Sequence, residues 1–171
     1  MAAARIRLPG TRGNRFTRTP MSSLLRYWIP LIVWMFVIFS ASADTESSQR
    51  TSRFLEPFLR WLNPNISAEA IDVVRFIIRK AAHMIEYAIL AWLWWRALRR
   101  RASKEWSWKV AGWAWCLSVV YAITDEAHQL FVANRTGSPL DVLIDAAGAT
   151  LALGTIYYVR QHRSGRQLSS R

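Results

Sequence analysis

Ten side chains capable of acid–base or ligand chemistry are concentrated in three short segments of this sequence. They are Lys80, His83, Glu86, Asp125, Glu126, His128, Gln129, Arg135, Asp141 and Asp145. All of them lie within or beside long apolar runs, where an ionisable group is costly unless it has a partner or a task. The three segments therefore indicate a functional site, provided that the fold brings them together.

The spacing within each segment is typical of a helix. His83 and Glu86 are three residues apart, as are Asp125 and His128, and the two aspartates of the third segment are four apart. Side chains at these intervals share one helical face. Each segment is thus predicted to direct a polar stripe at the neighbouring helices.

Two uses of these stripes need no substrate. In the first, Lys80 and Arg135 pair with the carboxylates, and the polar network holds the helices together. In the second, the stripes bind a divalent metal ion, as carboxylates and imidazoles do in several helix bundles. The candidate metal ligands are His83, Glu86, Asp125, His128, Asp141 and Asp145. Their order does not match the E-x-x-H motif of di-metal bundles, so the cofactor stays open.

A third use is a ligand site with acid–base groups. Lys80 and Arg135 would bind a phosphate or carboxylate, because a guanidinium group can contact either with two parallel hydrogen bonds. The residues that could transfer a proton are His83, Glu86, Asp125 and His128. The other candidate ligand-binding residues are Glu126, Gln129, Asp141 and Asp145. A proton or ion pathway is a further use, although four short spans would need an oligomer to transport.

Composition places these segments in a membrane protein. The chain of 171 residues is 52% hydrophobic and has 10 Trp, yet its formal net charge is +12. A small membrane protein with basic flanks combines these properties, whereas a soluble domain rarely does. Nucleic-acid binding is disfavoured, because the basic residues lie beside apolar runs and not on a polar face. The single Cys116 lies inside an apolar run and is interpreted as a packing residue.

Four apolar runs predict an all-α integral membrane protein, a bundle of four transmembrane helices. The predicted helices span about residues 27–43, 77–98, 110–131 and 140–159, within a membrane domain of residues 27–159. Basic tails cover residues 1–26, predicted to be disordered, and residues 160–171. The first run also fits a cleaved signal peptide ending at Ala41-Ser42-Ala43, and Met21 is an alternative translation start.

A polar segment separates the first two spans. Phe54, Phe58 and Leu62 recur there at helical spacing, which predicts either a short helix on the outer surface or a loop folded on the bundle. Ser67 resembles an N-cap, and a helical pattern runs from it to about Leu98.

Loop charges predict the orientation. Lys and Arg number 6 in the N-terminal tail, 6 in the 96–109 loop and 4 in the C-terminal tail, against 6 in the 41–80 segment and 1 in the 125–145 segment. Because basic loops stay in the cytoplasm, both termini are predicted to be cytoplasmic. The three polar segments then lie at one depth, near the outer side of a multi-pass protein of the cytoplasmic membrane.

The residue types and their spacing in these three segments resemble the pattern of the VanZ-like family of bacterial membrane proteins. The matching pattern is Lys80-Ala-Ala-His83-Met-Ile-Glu86-Tyr87-Ala-Ile-Leu90, followed by Tyr121, Asp125, Glu126, His128, Gln129, Phe131, Arg135, Ser138, Asp141, Asp145 and Gly148. The resemblance covers about residues 30–159. One departure is Ala133-Asn134, where family members often have Pro-Gly; Asn also tolerates a left-handed turn.

The resemblance implies a cell-envelope role. The founding member of the family is associated with reduced sensitivity to the glycopeptide teicoplanin. The expected function is therefore to act on, or shield, an anionic lipid-linked or peptidoglycan-related group, with membrane lipids as partners. The alternative is a non-catalytic membrane component whose polar network holds the bundle together.

Overall fold

Five helices make up the part of the chain that the structure describes. The computed structural model describes residues 20–43, 47–99, 106–132 and 137–168. The helices are α1 (Pro20–Ala43), α2 (Ser47–Leu62), α3 (Ala68–Leu98), α4 (Trp108–Gln129) and α5 (Pro139–Leu168). No strand occurs in these segments, so the all-α prediction is confirmed for them. Residues 1–19 of the predicted N-terminal tail lie outside the described residues.

Helix ends differ from the predicted bounds at both ends of the chain. α1 begins at Pro20, ahead of the predicted start at Tyr27, and proline is favoured at the first position of a helix. α5 continues to Leu168, beyond the predicted end at Val159. Arg and Gln in this extension are good helix formers, and basic side chains favour the C-terminal turns of a helix. Much of the predicted C-terminal tail is therefore helical.

The longest helix, α3, is the centre of the fold. The Ser67 hydroxyl accepts a hydrogen bond from the Ala70 amide at 3.2 Å, which confirms the predicted N-cap. The helix then runs for 31 residues, or about 46 Å at the usual rise per residue. It contacts all four other helices, and α4 also packs on α5 and on α1.

Contacts at the two ends of α1 show the relative directions of α1, α3 and α4. Arg96, near the end of α3, lies over the Tyr27 ring at 5.0 Å, near the start of α1. At the opposite end of α1, the Ser42 hydroxyl contacts Gln129 at the end of α4. α1 and α4 are therefore antiparallel to α3. Between these contacts lies an apolar core of Leu31, Ile38, Tyr87, Leu90, Leu93, Ala97 and Ala122.

α2 packs against the first turns of α3, which project past the start of α5. Arg75 of α3 bonds to Glu56 of α2 at 2.8 Å and to Asp72 at 2.9 Å. The polar side of α2 is held by this contact, while Phe54, Phe58 and Trp61 are exposed. This arrangement is that of an amphipathic helix with an uncovered apolar face.

Two helices are long and apolar enough to cross a membrane, judged by length and composition. The stretches are Leu24–Ser42 in α1 and Pro139–Arg163 in α5. Large apolar side chains are also exposed on all four long helices, among them Phe36, Ile85, Val120 and Leu143. Apolar surface of this extent needs an apolar environment to cover it.

Aromatic and basic side chains gather at the end of the bundle where α3 ends and α4 begins. Trp95 stacks on Trp106 at 6.2 Å, and Trp106 lies edge-on to Tyr157 at 5.2 Å. The guanidinium groups of Arg99 and Arg160 lie 5.0 and 5.3 Å from the Trp95 ring. These residues are typical of a membrane interface, and they mark the end opposite to the polar segments.

Candidate functional site

The polar segments meet where α4 ends and α5 begins, against the side of α3. Lys80 of α3 forms an ion pair with Asp141 in the first turn of α5, and the two side chains are only 13% and 9% exposed. The Lys80 ammonium also lies 5.1 Å from the Phe76 ring. The charge of Lys80 is therefore compensated by the Asp141 carboxylate.

One turn further along, His83 of α3 faces Asp145 of α5. The His83 Nδ1 and Asp145 Oδ1 atoms are 3.6 Å apart, just beyond hydrogen-bonding distance. α3 and α5 run in the same direction, so the step from Lys80 to His83 matches the step from Asp141 to Asp145. The two helices thus present a Lys–Asp pair and a His–Asp pair in register.

A glycine next to these pairs lets the two helices approach closely. A Cβ atom at Gly148 would overlap the backbone carbonyl of Met84, the residue after His83. Small residues allow backbones to come this close in membrane helices. Gly148 therefore helps to set the separation of α3 and α5 beside the His83–Asp145 pair.

Glu126 connects α4 to the start of α5 and, through Gln129, to α1. Its Oε2 atom accepts a hydrogen bond from the Ser138 amide at 2.8 Å, and its Oε1 atom accepts one from Gln129 Nε2 at 3.3 Å. The same Gln129 nitrogen contacts the Ser42 hydroxyl at 2.9 Å. These bonds fix the orientation of a buried carboxylate.

Two buried carboxylates have no hydrogen-bond partner among the described residues. Asp125 is 3% exposed and Asp145 is 1% exposed, and no donor meets either group with hydrogen-bond geometry, although Ser42 and Gln129 lie near Asp125 and His83 lies near Asp145. The two groups are close enough to interact electrostatically with each other and with His83. A buried carboxylate carries a large desolvation penalty as an anion unless a cation or hydrogen-bond donor compensates it.

Tyr87 and Ser42 belong to this region although neither was selected from the sequence as a site residue. Tyr87 is fully buried, its hydroxyl has no hydrogen-bond partner in the described residues, and Asp125 and Asp145 lie near it. It is one helical turn from His83, and this spacing is the signal that could have identified it. Ser42 carries no comparable signal, because its role depends on how α1 packs.

Three other residues predicted for the site differ in where they lie. The half-buried Glu86 is close enough to interact with His83, Asp125 and Asp145. The His128 ring instead packs on Phe39 of α1, with ring centroids 4.6 Å apart, and it has no hydrogen bond or ion pair with a described residue of the cluster. Arg135 lies outside the described residues.

Three of the gathered side chains could hold a metal ion. His83, Glu126 and Asp145, from α3, α4 and α5, each offer one ligand atom, and these atoms all lie within 4.8 Å of one another. Of the six metal candidates named from the sequence, this set includes His83 and Asp145. Glu126, predicted only as a ligand-binding residue, is the third member.

Comparison with known proteins identifies a family. The model of the family described as VanZ/LLP1 matches residues 27–160, which include α2, α3 and α4 and most of α1 and α5. Neither the curated proteins nor the solved structures include one with significant similarity to this chain.

Proposed function

The chain belongs to the VanZ/LLP1 family, and from this premise we propose that it presents a polar site on the outer side of the cytoplasmic membrane. In this proposal α1, α3, α4 and α5 are four transmembrane spans. The apolar stretches of α1 and α5 support two of them, and exposed Ile85, Trp92 and Val120 support the other two. α2 lies on the outer surface with its apolar face toward the lipid.

The orientation rests on charge and aromatic residues. The 96–109 segment is rich in Lys and Arg, and its Trp106 stacks on Trp95, which favours the cytoplasmic side. The polar cluster is at the opposite end and therefore faces outward. α1 is retained as a span, since Leu31 and Ile38 are buried in the core.

The function that this position favours is the binding, modification or shielding of a cell-envelope group, which would lower sensitivity to glycopeptides such as teicoplanin. The observation that carries the proposal is the convergence of polar side chains from three helices at one end of the bundle. An anionic lipid-linked or peptidoglycan-related group is the expected ligand, with Arg135 contacting it. His83, Glu86 and Asp125 are the expected proton-transfer residues.

A structural role is the second candidate, and specific contacts favour it. The Lys80–Asp141 pair joins α3 to α5, the Glu126–Ser138 bond joins α4 to α5, and the Gln129–Ser42 bond joins α4 to α1. Each contact satisfies a polar group and also fixes a helix pair. On this alternative the cluster needs no ligand.

Substitution of Asp125 by Asn separates the two functions, because an amide of the same shape removes the charge and can keep the contacts with the nearby Ser42 and Gln129 side chains. The chain and its Asp125→Asn variant are expressed in a glycopeptide-sensitive bacterium, and both teicoplanin sensitivity and folded protein in membranes are measured. We expect the unchanged chain to lower sensitivity and Asp125→Asn to lose this effect at normal protein levels. Asp72→Asn, an exposed aspartate of α3, is the matched control.

Two other results would contradict the cell-envelope role. An unchanged chain that accumulates in membranes without altering teicoplanin sensitivity contradicts the resistance role. Loss of folded protein in Asp125→Asn, together with a parallel loss of any effect, favours the structural role.

A further inference from the structure

We propose that His83, Glu126 and Asp145 form a binding site for a divalent transition-metal ion, Zn²⁺ or Mn²⁺. This proposal concerns the cluster itself and does not depend on the cell-envelope role. It assigns a direct ligand role to Glu126 and excludes His128, which packs on Phe39. An ion at this position would join α3, α4 and α5 through one ligand from each helix.

The distances are close to those that coordination requires. In a tetrahedral site with metal–ligand bonds near 2.1 Å, ligand atoms are about 3.4 Å apart. The 3.6 Å separation of His83 Nδ1 and Asp145 Oδ1 nearly meets this value. The whole set lies within 4.8 Å, so a side-chain movement of up to about 1.4 Å in Glu126 would complete the triangle.

The charge of the cluster favours the binding of a cation. The described part of the cluster contains the carboxylates Glu86, Asp125, Glu126, Asp141 and Asp145. The basic groups among the described residues here are Lys80, which is paired with Asp141, and His83, which is charged only when protonated. Acidic groups therefore remain in excess.

A second observation concerns the burial and hydrogen bonding of two proposed ligands. Asp145 is 1% exposed, and its Oδ1 atom faces the Nδ1 atom of His83 at 3.6 Å, an ion-pair distance too long for a hydrogen bond, so neither atom has a hydrogen bond among the described residues. These are two of the three proposed ligands, and they face each other. Buried polar atoms in folded proteins are nearly always satisfied, and a coordinated cation would satisfy both.

Hydrogen bonds around the third proposed ligand, Glu126, also support a metal site. Glu126 is held by the Ser138 amide and by Gln129, and Gln129 is held in turn by Ser42. Outer contacts of this kind orient the ligands of metal sites and raise metal affinity. Asp125 lies close enough to His83 and Asp145 to interact with both electrostatically.

Ligand chemistry selects the metal class. An imidazole nitrogen with two carboxylates suits Zn²⁺ or Mn²⁺, whereas Ca²⁺ and Mg²⁺ prefer sites built from oxygen alone. Three protein ligands leave positions open for water or for an oxygen of a bound molecule. A bound ion would therefore allow an anionic group to approach a cluster made mostly of carboxylates.

Metal analysis of the full chain, purified in detergent without a polyhistidine tag, tests the site. The protein is stripped with chelator and titrated with Zn²⁺, Mn²⁺, Mg²⁺ or Ca²⁺ alone, and the bound metal and the thermal unfolding temperature are measured. We expect one Zn²⁺ or Mn²⁺ per chain and a rise in unfolding temperature. Loss of an outer partner lowers metal affinity about 10–100-fold, so loss of a direct ligand should lower it more than about 100-fold.

Matched variants assign the ligands. His83→Gln, Glu126→Gln and Asp145→Asn should lose the ion, and Gln129→Leu should weaken it, while His162→Gln and Asp72→Asn should bind it normally. His162 is an exposed histidine of α5, and Asp72 is an exposed aspartate of α3.

Three results would overturn the proposal. The first is an unchanged chain that binds no Zn²⁺ or Mn²⁺, a measurement that does not depend on the folding of any variant. The second is binding that His83→Gln and Glu126→Gln both leave intact. The third is a preference for Mg²⁺ or Ca²⁺. None of these readouts involves glycopeptides, so the metal site and the cell-envelope role fail separately.

Discussion

Gly148 of α5 lies directly against the backbone carbonyl of Met84 in α3, one residue from His83. A Cβ atom at position 148 would overlap that oxygen, and the obstacle is backbone, which cannot rotate away as a side chain can. The close approach also lies three residues beyond Asp145. The distance across the His83–Asp145 pair therefore depends on a residue that has no side chain.

Replacing this glycine should loosen the bundle. Gly148→Ala should force α3 and α5 apart and lower the free energy of unfolding by about 1–3 kcal/mol, as overpacking does elsewhere. Thermal unfolding in detergent measures the effect. Gly154→Ala is the control, because a Cβ at Gly154 meets nothing within 4 Å. Equal stability of the two variants would contradict the close contact.

Breaking the buried ion pair should cost more than breaking an exposed one. Lys80→Met leaves Asp141 uncompensated, and losing one partner of a buried pair costs about 3–5 kcal/mol. The double variant Lys80→Met/Asp141→Leu should recover part of that stability, because no charge is left behind. Unfolding measurements on both single variants and the double variant give the coupling.

The Arg75–Glu56 pair supplies the comparison, since its side chains are 31% and 40% exposed. Glu56→Gln should change the free energy of unfolding by no more than about 1 kcal/mol. A loss at Glu56 as large as that at Lys80 would mean that burial does not determine the cost of these pairs.

The first helix should remain attached in the mature protein. Trp34 donates a hydrogen bond to the Glu86 carbonyl at 3.0 Å, and the Tyr121 hydroxyl donates one to the Met35 carbonyl at 2.6 Å. Cleavage after Ala43 would remove these contacts and the Ser42–Gln129 bond. An epitope at the N-terminus should therefore stay on the full-length protein in membranes, as judged by immunoblot and intact mass. A mature protein that begins near residue 44 would refute this prediction.

Cysteine labelling should report the proposed orientation. In a Cys116→Ala background, which removes the native exposed thiol, a cysteine at Ser47 or Ser138 should react with an impermeant maleimide added to intact cells. A cysteine at Ser103 should react only after the membrane is permeabilised. The charge distribution requires this pattern, and labelling of Ser103 in intact cells would invert the topology.

Helical periodicity and capping were sufficient to predict most of the architecture. The extent of α3 followed from Ser67 and from an apolar pattern that ends near Leu98, and the structure agrees with both. The same information could not assign every polar residue to a partner. Asp125 and His128 are three residues apart, which leaves them about 60° apart around a helix. That angle is enough for His128 to pack on Phe39 while Asp125 faces α3 and α5.

Contacts between residues far apart in the sequence could not be predicted from local patterns. Nothing in the local pattern of Ser42 connects it with Gln129, 87 residues away. That Glu126 also offers a ligand atom within 4.8 Å of those of His83 and Asp145 likewise depends on how α4 rotates against α3. Spacing along one helix predicts a shared face, but the residues opposite that face are set by packing.

The hydrogen bond from Trp34 ends on the main chain of Glu86 and not on its carboxylate. Any amino acid at position 86 would offer the same carbonyl oxygen, so exchange of this side chain leaves that anchor of α1 in place. Glu86 can therefore vary in evolution, or in the laboratory, without undoing this attachment of the first helix. An altered phenotype in a Glu86→Gln variant would report on the chemistry of the cluster and much less on assembly.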